Sequence, residues 1–121
     1  MAGQLIPTKV HAVEDYMTSA TLPYAARKLG VTPTTRRILD SVAAAAGTHS
    51  MMTDYEGGVV RLLPMRAHLM SDMLMGGGLL SIAAFMRGAP AVDRLLLAGV
   101  GAFSLALAML TRPVPEMRNV A

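Results

Sequence analysis

The chain has no cysteine and no tryptophan, and its 121 residues include only three Tyr and two Phe. Absence of Cys excludes disulfides and every thiolate site, whether nucleophile or metal ligand. Charge is scarce as well. The charged fraction is 16%, against roughly 25% in soluble domains, while the hydrophobic fraction is 53%, against roughly 45–50%. Both departures point toward lipid, although so few aromatics leave little material for interfacial belts. The net charge of +3 is spread over bases scattered among apolar segments. A nucleic-acid groove needs a basic stripe on one face, so no nucleic-acid partner is expected; a bilayer with anionic headgroups is the expected one. Lys9, Glu14 and Asp15 interrupt the start of the chain where a cleaved signal needs an apolar core, so no such signal is expected. No Gly-x-Ser-x-Gly elbow, Walker loop or dinucleotide turn is present. Gly76-Gly77-Gly78 has no strand before it and no Lys-Ser or Lys-Thr after it, so an enzyme is not the expected reading.

What the chain does have is itself, twice. At an offset of 57 residues, Pro7, Lys9, His11 and Asp15 recur as Pro64, Arg66, His68 and Asp72, and Pro33 and Arg37 recur as Pro90 and Arg94. The length allows one domain. Its first repeat spans about 6–56 and its second about 63–112, and the polar, Pro-marked tail 113–121 is expected to be flexible.

Four helix-length segments fall between breakers, and no stretch alternates long enough to make a strand. The first is expected from Thr8 to Lys28, opened by Pro7 and closed by Gly30. The second opens on a Thr32 cap with Pro33 in the first turn and is expected to reach about Tyr55, before Gly57-Gly58. The third runs from Pro64 to near Arg87-Gly88 and the fourth from Pro90 to just before Arg112-Pro113.

Leu95 to Leu110 is uncharged and apolar on every face, giving roughly 24 Å of the roughly 30 Å a hydrocarbon core requires. Arg94 and Arg112 can snorkel from either end. Met73 to Met86 is also uncharged, and its Gly run suits a close neighbouring backbone. The first two segments are weaker, because Asp15 and Asp40 must face a bundle interior to sit at that depth. The expected fold is therefore all-α, a four-helix membrane bundle of two tandem hairpins, with a soluble four-helix bundle as the alternative.

The pattern Ile6-Pro7-Thr8-x-Val10-His11-x-x-x-Asp15-Tyr16, then Leu22-Pro23-Tyr24, then Thr53-Asp54-Tyr55-Glu56 and Arg61-Leu62-x-Pro64-Met65-Arg66-x-His68-x-x-x-Asp72 resembles the small bacterial membrane proteins of the SPW-repeat type. The resemblance covers most of the chain. It implies two membrane hairpins in tandem and a multi-pass location in the bacterial cell membrane, and it carries no activity. Leu22-Pro23-Tyr24 stands where that family has Ser-Pro-Trp, and Ala83-Ala84-Phe85 lies near the equivalent place in the second half.

Tandem hairpins put His11 and Asp15, His49 and Asp54, and His68 and Asp72 on one side of the bundle as a single layer. His11 with Asp15 and His68 with Asp72 are i, i+4 pairs, each on one helical face, and a pseudo-twofold between hairpins brings both pairs toward the axis. Three meanings are open. Imidazole and carboxylate together suit a divalent metal such as zinc, nickel, manganese or ferrous iron. Ionisable groups within membrane helices also suit proton or cation relay. Otherwise Asp15 and Asp72 brace the hairpins while each His bonds a carbonyl. In that last case the protein is a structural or interaction module, a homo-oligomer or the subunit of a membrane partner, associating through its Gly and Ala faces.

Overall fold

Every long helix begins at or just after a proline, whose fixed φ and missing N–H suit a first turn; a further proline, Pro23, lies inside the first helix without ending it. The computed structural model describes residues 3–118. In order these are α1 (Thr8–Lys28), α2 (Pro33–Met51), α3 (Met65–Phe85) and α4 (Ala91–Leu110), followed by a 3-10 turn, Glu116–Arg118. The all-α four-helix bundle is thus the observed fold. Among the described residues, extended pairing is confined to two isolated bridges.

Two local expectations are corrected. First, α2 stops at Met51 rather than near Tyr55, because Asp54 N–H turns away to bond Leu63 O at 2.8 Å and Leu63 N–H bonds Met52 O at 2.8 Å. Second, Thr32 precedes α2 without capping it; its hydroxyl donates to Asp93 Oδ2 at 2.5 Å and its N–H points at the same carboxylate. At the start of the tail, Glu116 N–H donates to Glu56 Oε1 at 2.9 Å, while Thr8 donates to Glu56 Oε2 at 2.7 Å. Burial pushes the Glu56 carboxyl up, but these donors hold it below its ordinary value. The rest of the expected flexible tail, 119–121, lies outside the described residues.

Helix α1 packs on α2 and α3 on α4, with a lighter α2–α4 contact joining the hairpins. Gly30 ends α1 at a φ of 67°, the left-handed region where a Cβ is costly. At the end near the 29–32 turn, Leu22, Ala26, Leu39 and Ala43 meet Leu79, Ala83 and Leu97. At the other end, Ala12, Tyr55, Met65, Leu69 and Ala108 form a second cluster.

The pseudo-twofold appears in the backbone. Ile6 N–H bonds Leu110 O at 2.9 Å and Arg112 N–H bonds Ile6 O at 3.0 Å, the same pair of bonds that Leu63 makes with Met52 and Asp54. Each odd helix is therefore tied at its start to the end of the other hairpin's even helix or, for α3, to the loop leaving the preceding one.

Helices α3 and α4 are long and apolar enough to cross a membrane, and only 28% and 22% of their apolar windows are buried. Leu74, Phe85, Leu95, Phe103 and Met109 project outward. Helices α1 and α2 do not meet the same criterion. Asp40 meets the surface paired bidentately with Arg27 at 2.8 and 2.9 Å.

Gly76 and Gly101 let α3 and α4 touch backbone to backbone: a Cβ on Gly76 would lie 2.7 Å from Gly101 O, whereas one on Gly77 would meet nothing within 4 Å. Gly76→Ala should therefore destabilise the protein by about 1–3 kcal/mol through overpacking, while Gly77→Ala should stabilise it by about 0.5–1 kcal/mol through helix propensity. Thermal unfolding of the two variants beside wild type checks the contrast; equal effects would contradict the close approach.

Candidate metal centre between the hairpins

The i, i+4 pairs on α1 and α3 face one another across the bundle. His11 Nε2 lies 3.3 Å from Asp15 Oδ1 on its own helix and 3.0 Å from Asp72 Oδ2 on the other. His68 Nε2 lies 3.1 Å from Asp72 Oδ2 and 3.2 Å from Asp15 Oδ2. Each carboxylate thus serves both hairpins. The rings meet edge to face with centroids 5.2 Å apart, and one donor atom from each of the four residues lies within 4.8 Å of all the others.

Two threonines fix the imidazoles. Thr111 Oγ1 lies 2.6 Å from Leu107 O and 2.8 Å from His11 Nδ1; Thr53 Oγ1 lies 2.7 Å from His49 O and 2.7 Å from His68 Nδ1. A carbonyl can only accept, so each hydroxyl spends its single proton there, and each Nδ1 must carry the hydrogen that the hydroxyl oxygen accepts. Both Nε2 atoms are thereby turned toward the carboxylates. Each Thr belongs to the chain's return at the end of the other hairpin, so His11 depends on the end of α4 and His68 on the end of α2.

Electrostatics then requires a positive centre. The two carboxylates are acceptors, and so is each Nε2 when it carries no proton; such a buried set repels itself unless protons on the Nε2 atoms or a cation sit among them. His11 Nε2 has a hydrogen-bonding contact with Asp72. His68 Nε2 is buried with no hydrogen-bond partner, despite two carboxylate oxygens within 3.2 Å. The atom is close to its neighbours and misaligned for an N–H bond to either.

The carboxylates are held unequally. Asp15 Oδ2 accepts from Tyr55 Oη at 2.7 Å and Ser50 Oγ at 3.0 Å. Burial, and the Asp15 charge after it, hold the Tyr55 hydroxyl protonated well above its usual range, so it stays a donor. Gly57 lets this loop reach α1, since a Cβ there would lie 2.8 Å from that of Ala12, and Tyr16 donates to Gly57 O at 2.6 Å. In the second repeat, Ala108 occupies the place corresponding to Ser50, with no hydroxyl to offer. Asp72 is the most exposed of the four side chains, at 16% against 9% for Asp15 and 1% or less for the histidines.

Of the six residues in the expected layer, the structure brings together His11, Asp15, His68 and Asp72. His49 stacks on the His68 ring at 4.3 Å without offering a donor atom to the group. Asp54 stands outside the group, its N–H committed to Leu63. Neither tetrad histidine bonds a carbonyl, as the bracing alternative expected; both bond threonine. Thr53, Thr111, Ser50 and Tyr55 were not expected at the site. A signal existed for the threonines, since each closes a hairpin, but the step from 53 to 111 is one residue longer than the step from 11 to 68, which hides them from a fixed-offset comparison.

No protein-family model, curated protein or solved structure matched the chain.

Thr111→Val keeps the shape and removes the acceptor for His11 Nδ1–H. It should cost about 1–3 kcal/mol by leaving a buried donor unpaired, and Thr111→Ser should restore most of that. Denaturant or thermal unfolding of the three proteins is the check; a neutral Thr111→Val would contradict the assigned tautomer.

Proposed function

We propose that the protein is a small bacterial membrane protein of the SPW-repeat type whose two hairpins jointly bind one divalent transition-metal ion through His11 Nε2, His68 Nε2 and the carboxylates of Asp15 and Asp72. The observation that carries the reading is the unpartnered, buried Nε2 of His68 aimed at two carboxylates, with its tautomer fixed from behind by Thr53. Three further points support it. Ligands at about 2.0–2.1 Å from a tetrahedral ion stand about 3.3 Å apart, and the four imidazole–carboxylate contacts span 3.0 to 3.3 Å. Two neutral imidazoles and two carboxylates leave a charge of about −2, which one divalent cation cancels in a buried setting. Mixed nitrogen and oxygen donors suit zinc, manganese, ferrous iron or nickel better than calcium. The Thr hydroxyls then act as outer partners that orient the ligands.

Membrane residence is supported by α3 and α4, whose apolar surfaces mostly face outward, the reverse of a core helix in a soluble protein. Alkaline carbonate washing should leave the chain in the membrane pellet.

The direct test is elemental analysis after equilibrium dialysis against zinc in a weak chelator. Wild type should retain about one zinc per chain, and His68→Gln and Asp72→Asn should weaken retention by at least roughly 100-fold, beyond the range typical of outer-shell changes. His49→Ala should retain the metal, because its ring only stacks. Zinc-free wild type, or equal retention by His68→Gln with its helix content intact, would contradict the reading.

A further inference from the structure

A cavity of about 280 Å³ adjoins the tetrad between α1 and α4, and Asp15 and Asp72 belong to its wall whereas neither histidine does. The rest of its polar lining is Glu14, Thr18, Thr21 and Ser104, with Thr18 donating its hydroxyl to Glu14. Away from the carboxylates the wall is apolar, built from residues such as Leu22, Met75, Leu96, Val100 and Phe103. The imidazoles thus approach the centre from the threonine side and the cavity approaches it from the carboxylate side. Asp72, the most exposed ligand and the one without a hydroxyl donor of its own, lies on that boundary.

We infer that this cavity seats a small amphipathic molecule whose oxygen-donor head group adds a ligand to the ion held by His11, Asp15, His68 and Asp72 and whose apolar body fills the space between α1 and α4. The inference rests on the metal-binding reading above. Its chemistry follows from the wall. A protein offering four donors leaves room for added ligands when the ion expands its coordination. Glu14 supplies an acceptor for an N–H or O–H on the head group, and the apolar walls reward a short hydrocarbon body rather than a second hydrated ion. The volume lies just below the roughly 300 to 1,000 Å³ typical of ligand cavities, so the occupant is a short-chain or single-ring compound and not a whole phospholipid.

Gly99 makes the inference testable apart from the metal. It lines the cavity, and a Cβ on it would meet nothing within 4 Å, so Gly99→Leu occupies cavity space without touching the tetrad. Protein loaded with Co²⁺ reports its coordination through visible d–d bands, and octanohydroxamate, a chelating head on a seven-carbon tail, is the probe. The expected result is that octanohydroxamate shifts the wild-type bands, that acetohydroxamate, lacking the tail, needs at least tenfold higher concentration, and that Gly99→Leu keeps the unliganded cobalt spectrum while losing at least tenfold in octanohydroxamate affinity. Cobalt bands that octanohydroxamate leaves unmoved would overturn the inference while leaving metal binding intact. So would equal affinities for the two hydroxamates, or an unimpaired Gly99→Leu. Absence of cobalt bands in wild type would overturn the metal reading and this inference with it.

Discussion

The rest of the site depends on one hydrogen bond made twice, from a histidine Nδ1 to a threonine hydroxyl whose own proton is committed to a helix carbonyl. That commitment decides which nitrogen of each ring carries hydrogen, and so which nitrogen faces the carboxylates. Free to choose, a neutral imidazole beside two carboxylates could put its one hydrogen on Nε2, donate it to one of them and act as a brace. The threonines remove that choice from the Nδ1 side and leave the Nε2 atoms and carboxylates to share whatever positive charge occupies the centre.

Because each threonine sits at the end of the opposite hairpin, neither hairpin holds a finished site. Duplication supplies two copies of a His–Asp face, and the pseudo-twofold swaps their supports. The backbone bonds of Ile6 with Leu110 and Arg112, repeated by Leu63 with Met52 and Asp54, set the ends of the helices at the register this swap needs. Departures from symmetry then divide the labour. Ser50 and Tyr55 donate hydroxyls to Asp15, while Ala108 offers Asp72 none, leaving it to the histidines. Gly76 and Gly101 bring the backbones of α3 and α4 into contact, whereas in the first hairpin Ser19 occupies the place corresponding to Gly76 and bonds Ala43 O at 2.8 Å.

Much of this fold was legible because prolines and glycines punctuate it. Helix α1 runs over Thr8–Lys28, the span that Pro7 and Gly30 imply, passing through Pro23, and the His-x-x-x-Asp pairs lie on single faces as helical spacing requires. The end of α2 was not legible, since nothing local marks Met51; its stop is set by pairing with Leu63, a contact distant along the chain. Thr32 reads as a cap by type, yet Asp93, 61 residues away, outcompetes the helix for its hydroxyl. For the site, residue type and spacing placed the histidines and aspartates in one layer; the structure brings His11, Asp15, His68 and Asp72 within reach of one another, while His49 stacks on His68 without offering a donor atom. The cross-hairpin pairing, the hydroxyl supports and the cavity arise from tertiary packing and have no signature in spacing.

The most direct measurement is extended X-ray absorption fine structure of the zinc-loaded protein. The expected spectrum has two imidazole nitrogens and carboxylate oxygens at about 2.0–2.1 Å, with the outer-shell scattering of two rings. A spectrum with oxygen neighbours alone and no imidazole scattering would contradict the account, because an ion held that way would not be using the nitrogens that Thr53 and Thr111 orient.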